Sequence, residues 1–156
     1  MQEKIISSTI SVCEYSELSA DDQFLVDEAR RATGNAYAPY SHFHVGAAVR
    51  LATGEVRIVA NQENAAFTAG TCAERSVLFY VGANRPGVAV KQIAVTAFTK
   101  GDFVEMPCAP CGHCRQAILE YETISGEPIE LLLIGRKEIY RVKSIRDLLP
   151  LCFDSF

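Results

Sequence analysis

The 156-residue sequence has no apolar run long enough to cross a bilayer, no excess of positive charge, no internal repeat and no low-complexity tract. The first absence excludes a membrane-spanning helix. The opening stretch MQEKIISSTISVCEYSEL mixes charges of both signs with short apolar pairs, so it lacks the apolar middle of a signal peptide. A formal charge of -4 and a pI near 5.4 are the reverse of what a surface built to neutralise phosphates requires. A soluble, cytoplasmic protein that binds neither nucleic acid nor membrane is therefore expected. With 49% hydrophobic residues the chain can bury one sizeable core. We read residues 1–156 as a single domain, with 1–19 as an N-terminal extension of no assigned role.

Against these absences stand six cysteines: Cys13, Cys72, Cys108, Cys111, Cys114 and Cys152. In a small secreted chain an even number would suggest bridges. Here the length, the hydrophobic content and the missing export signal favour reduced thiols, some of them metal ligands. The elements around them read as α/β. Ser19 can cap a helix through DDQFLVDEARRA, with Phe24, Leu25 and Ala29 near one face. VGAAVRLATGEVRIVAN reads as two strands joined at Thr53-Gly54. CAERSVLFYVGAN has helical spacing and stops at Arg85-Pro86-Gly87. VKQIAVTAF is a buried-type strand, CGHCRQAILEYE a helix and PIELLLIG another strand, giving helices on both faces of a sheet.

Two of the cysteine motifs thus open helices, where unpaired backbone N–H groups favour thiolates. Cys111 and Cys114, three apart, can aim both sulfurs at one ion, and Cys72 can supply a third from the other helix. Three protein ligands leave zinc an open position, as catalytic sites do. Cys108 is the rival ligand by spacing, but Pro110 holds Ala109 out of the helical conformation and places Cys108 on the preceding extended segment. Cys13 and Cys152 read as small buried apolar residues. Glu74, two residues after Cys72, can serve as general base beside the metal; its alternative role is to complement the helix dipole. Three thiolates on one dication leave negative charge that Arg75, Arg115 or both can draw away by hydrogen bonding to sulfur. A surface arginine on each helix is the competing reading.

TCAERSV followed by PCGHCRQ resembles the paired zinc signature of the cytidine deaminase family, in the form whose three ligands are all cysteines. The likeness runs from about Asp22 to Phe153 through AYAPYSHFHVGAAV, NQENAAF and LLPLCF. It implies a three-layer α/β/α sandwich with a central mixed sheet, and zinc held by Cys72, Cys111 and Cys114. Glu74 is then the proton shuttle, and Arg75 belongs to the thiolate cluster. It further implies that Phe43 stacks on the pyrimidine and that Asn61 and Glu63 hydrogen-bond the sugar. Phe153 would reach a neighbouring subunit's pocket in a homotetramer. The implied reaction is hydrolytic deamination of a small nucleoside, cytidine or deoxycytidine, in pyrimidine salvage. Gln62, Phe67, Ala60 and His113 depart from the family's usual residues.

Three rivals share parts of this pattern. A deaminase of an aminonucleoside antibiotic would share the metal motif but not the sugar-type segment NQENAAF. A polynucleotide-editing deaminase calls for a basic groove that this acidic chain does not show. A structural zinc module needs a fourth protein ligand, for which Cys108 and His113 are the local candidates.

Overall fold

The structure is a computed structural model that describes residues 1–155. Helix α1 spans Ala20–Ala32. Its start is fixed by Ser19, whose hydroxyl accepts from the Asp22 N–H at 3.1 Å, and its ends carry the charges that complement the dipole, Asp21 and Asp22 first, Arg30 and Arg31 last. Its buried stripe is Leu25, Val26, Ala29 and Ala32. Phe24 departs from expectation: it lies off that stripe and is 55% exposed. One residue before Leu25, it is turned about 100° around the helix from it. In the strand beneath, a Cβ at Gly46 would stand 2.2 Å from the Ala29 carbonyl oxygen. Helix and sheet touch there backbone to backbone, and Gly46→Ala would force them apart.

Strands β2 (His44–Leu51) and β3 (Val56–Ala60) form the expected hairpin, with Gly54 at φ +85° in the turn. Helix α2 (Ala73–Asn84) ends before Pro86, where Gly87 takes φ +78°. Strand β4 (Val90–Thr99) is followed by the short β5 (Asp102–Phe103), helix α3 (Gly112–Ser125) and strand β6 (Glu130–Ile134). Two strands come from segments with no clear strand signature, β1 (Ser11–Cys13) and β7 (Ile139–Val142).

The seven strands make one sheet in the order β1-β7-β6-β4-β2-β3, with β5 paired to β4. Only β4 and β6 run parallel, because α3 carries the chain back across one face between them; the remaining neighbours are antiparallel, so the sheet is mixed. The period of two divides the core. Ala47, Val49, Ile93, Val95, Leu131 and Leu133 face α2 and α3, whereas Ala48, Ala94, Leu132 and Ile134 face α1. Truncating a fully buried leucine such as Leu131 to alanine would cost about 2–5 kcal/mol. The sandwich has three layers, and no helix among the described residues is long and apolar enough to cross a membrane.

Candidate active site

Cys72 and Cys111 occupy equivalent places in the fold. Each is the residue that caps a helix, α2 and α3 respectively, in extended conformation, and neither side chain makes the usual capping hydrogen bond. Both sulfurs are thereby left to point at each other, 3.8 Å apart. Cys114, one turn into α3 and fully buried, brings its sulfur to 3.5 Å from that of Cys111. The three lie within 4.8 Å of one another, and no fourth His, Cys, Asp or Glu joins them among the described residues. Sulfurs arranged tetrahedrally at about 2.3 Å from zinc stand about 3.8 Å apart, so this trio fits the ion. They are far beyond the roughly 2.05 Å of a disulfide, and all six cysteines are free.

The electrostatics follow from that crowding. A hydrogen bond from Cys114 is the chief cause that pulls the Cys72 thiol down to about 5, against its burial and with help from Arg75. The same bond, together with burial, pushes Cys114 up. Arg75 reaches the Cys72 sulfur with Nη2 at 4.0 Å. Arg115 does not behave as its position suggested. Its Nε donates to the Pro110 carbonyl and its Nη1 to the Leu148 carbonyl, both at 2.8 Å, and no hydrogen bond joins it to sulfur. Of the two arginines weighed as moderators of the thiolates, Arg75 is the one that reaches sulfur, while α3 turns Arg115 toward main-chain oxygens of two neighbouring segments.

Glu74 sits in the first turn of α2, only 5% exposed, and burial raises its carboxyl above the ordinary range, with the Cys72 charge adding to the rise. It lines a cavity of about 650 Å³ together with Cys72 and Cys111, a size suited to a small organic ligand. Val45 and Val95 supply apolar lining from β2 and β4. Cys108 lines it too, outside the sulfur trio, its thiol pushed up to about 11 by burial and by the Glu74 charge. His113 is exposed and is not in the trio.

The opposite end of the cavity is formed by residues 40–45 and 61–64. These segments are zipped by backbone bonds from Tyr37 N to Asn61 O, from Glu63 N to Tyr37 O and from Asn61 N to Val45 O. Phe43, Asn61 and Glu63 all line the cavity. The Asn61 amide is engaged on both sides of His44: Oδ1 accepts from Val45 N at 2.8 Å and Nδ2 donates to Phe43 O at 3.0 Å. The Glu63 carboxylate accepts from the Ser41 hydroxyl and from the Tyr40 and Ser41 N–H groups, and these bonds, Ser41 first, hold it below the usual carboxylate range. Gln62 donates instead to the Asn35 carbonyl at 3.1 Å. Phe67, 82% exposed, meets the edge of Tyr40 at the rim. Cys108 and Ser41 were not singled out as lining residues from sequence; Cys108 competed with the ligands in spacing, and nothing in the neighbourhood of Ser41 marks it. Phe153 lies in the closing segment, 70% exposed, its carbonyl accepting from Gln116 Nε2 at 2.8 Å.

Comparison with known proteins agrees with this geometry. Residues 19–125, which include all three sulfurs, Glu74 and the opposite end of the cavity, match the cytidine and deoxycytidylate deaminase zinc-binding region. A cytidine deaminase of Halalkalibacterium halodurans is 46% identical over 102 residues, 64% of this chain and 71% of that protein. One from Mycobacterium tuberculosis is 32% identical over 85% of this chain and 90% of its own length. The crystal structure of the Burkholderia pseudomallei cytidine deaminase superposes with a TM-score of 0.70 at 41% identity, covering 84% of this chain and 98% of the other. The chain belongs to the cytidine and deoxycytidylate deaminase family, and Cys72, Cys111 and Cys114 form its metal site.

Proposed function

We propose that this protein is a zinc-dependent cytidine deaminase that hydrolyses cytidine or deoxycytidine to uridine or deoxyuridine and ammonia. The observation that carries the reading is the buried Glu74 carboxyl in one cavity with the sulfurs of two helix starts. Zinc, held by Cys72, Cys111 and Cys114, supplies Lewis-acid activation of water. The protein's own part is the proton traffic. Glu74, given a raised proton affinity by burial, takes a proton from the attacking water and passes it to the ring nitrogen, then takes the proton of the hydroxyl now on the ring carbon and passes it to the departing amine. Arg75 offsets the charge of the Cys72 thiolate. Phe43 offers a flat face to the base, and Asn61 and Glu63 meet the sugar.

The cavity lining supports a nucleoside over a nucleotide. Among the described residues it contains no lysine or arginine, and it presents the Glu63 carboxylate, which repels a phosphate. A structural zinc module is disfavoured because no fourth protein ligand completes the trio among the described residues. We take residues 1–156 as one domain, and six free thiols suit the reducing cytoplasm. A homotetramer is the assembly we propose, with Phe153 entering a neighbour's pocket. Deleting residues 151–156 should then lower activity and weaken the oligomer together, and a fully active monomeric truncation refutes it. Metal analysis with an ultraviolet assay on both nucleosides tests the activity: about one zinc per chain with turnover is expected. Zinc without turnover of either nucleoside sinks the reading.

A further inference from the structure

We propose that Ser41 is a positioning residue that joins sugar recognition and base stacking into one unit. The inference rests on the cytidine deaminase reading above. The Ser41 hydroxyl has one proton, which it donates to Glu63 Oε1, so only its lone pairs remain for a second partner. That partner is the Phe43 N–H, at 3.1 Å. On its other side Phe43 is held through its carbonyl by Asn61 Nδ2. Asn61 and Glu63 are themselves two residues apart, so the four residues close a ring: Glu63 to Ser41, Ser41 to Phe43, Phe43 to Asn61, and back along the chain. A closed ring fixes relative positions more strictly than an open chain of the same bonds, since no member moves without straining two others.

The backbone between Ser41 and Phe43 needs this support. His42 takes φ +54°, a left-handed conformation uncommon for a residue other than glycine. The Ser41 hydroxyl spans that turn by accepting from Phe43 N, a local motif that serine makes only weakly by itself. The Glu63 carboxylate reinforces it from across the pocket. The same carboxylate also accepts from Tyr40 N at 2.9 Å and Ser41 N at 3.3 Å, so it grips the turn at three points. A charged acceptor gives stronger bonds than a neutral one. Ser41 needs no contact with the substrate to act. It sets where the Glu63 carboxylate sits relative to the Phe43 ring, and hence how well a base and a sugar joined by one glycosidic bond are accommodated together.

Ser41→Ala removes the bridge while leaving every metal-binding side chain in place. KM for cytidine should rise about tenfold, the size of one lost hydrogen bond to a charged group, with kcat within about threefold and zinc content unchanged. Ser41→Thr, which keeps the hydroxyl, should restore most of the affinity. In a cycle with Glu63→Gln the double variant should lose clearly less than the product of the two single losses, because Ser41 acts through Glu63. Hydrogen exchange gives a readout independent of turnover: the Phe43 amide should lose protection in Ser41→Ala. Wild-type KM in Ser41→Ala, or multiplicative losses in the cycle, overturns the proposal. Should the wild type fail on cytidine while Ser41→Ala still exposes the Phe43 amide, the deaminase reading fails and the bridge stands.

Discussion

The two ends of the cavity are built from different materials. The sulfur end stands on the first turns of two helices anchored in the larger core, so its ligands are placed by regular structure whose register is fixed by burial of Val77, Leu78, Ile118 and Leu119. The opposite end stands on irregular segments whose course is held by side chains, Asn61, Glu63 and Ser41, gripping main-chain atoms. A residue at the first end can be changed with mainly chemical consequences. At the second end, the side chains that line the cavity also hold the backbone, and a substitution disturbs both.

The largest effect should come from Glu74→Gln, which keeps the shape and removes the proton acceptor. Turnover should fall by at least about 10² to 10⁴-fold, since one carboxylate serves several transfers. Zinc occupancy by metal analysis should stay near wild type; loss of zinc instead would make Glu74 a ligand and redraw the sulfur end. Next comes Cys114→Ala. Removing groups that only support ligands already costs about 10 to 100-fold in metal affinity, so removing a ligand should cost at least about 100-fold, read by chelator competition.

Asn61→Ala tests the other end. Both of its amide atoms hold backbone around Phe43, and it is 9% exposed, so we expect about 1–3 kcal/mol of lost stability in denaturant together with a higher KM for cytidine. Gln62→Ala, with a single exposed bond to Asn35, should cost about 1 kcal/mol or less; equal effects from the two would erase the distinction between the ends.

The smallest effect on catalysis should come from Asp22, in the first turn of α1 and outside the cavity lining. Burial raises its carboxyl, but hydrogen bonds from Gln92, the charge of Arg141, a bond within the Ser19 cap and the charge of Arg50 together outweigh it and hold the group below the usual range. Its native pKa therefore lies below the unfolded value. Its stabilisation is complete above the ordinary carboxylate range near 4 and disappears as pH falls through the depressed native value. Asp22→Asn should cost about 1–3 kcal/mol at pH 7 with zinc content and KM unchanged, and that deficit should shrink in melts below pH 4.

The contrast between the ends also accounts for what could be read in advance. Cysteine at a helix start, a second three residues on and a glutamate two residues after the third are local patterns, legible because helix geometry converts spacing into direction. The Ser19 cap and the Thr53-Gly54 turn were legible for the same reason. Asn61, Glu63 and Phe43 were reached through family resemblance, since nothing local separates a pocket asparagine from one in a turn. What escaped depends on partners distant in sequence: β1 exists because Ser11 pairs with Arg141, Arg115 turns to Leu148, and the backbone of α1 meets the sheet at Gly46.

Helix α3 holds the closing segment largely by its peptide groups. Arg115 bonds the carbonyl of Leu148, Gln116 that of Phe153, and Glu122 the N–H of Ile145, with the Ser144 hydroxyl as the one side chain among these contacts. Peptide groups are the same whatever residue carries them. The route of the tail is thus inherited through the helix, and mutation at Leu151 or Phe153 alters what the tail presents without altering where it is presented.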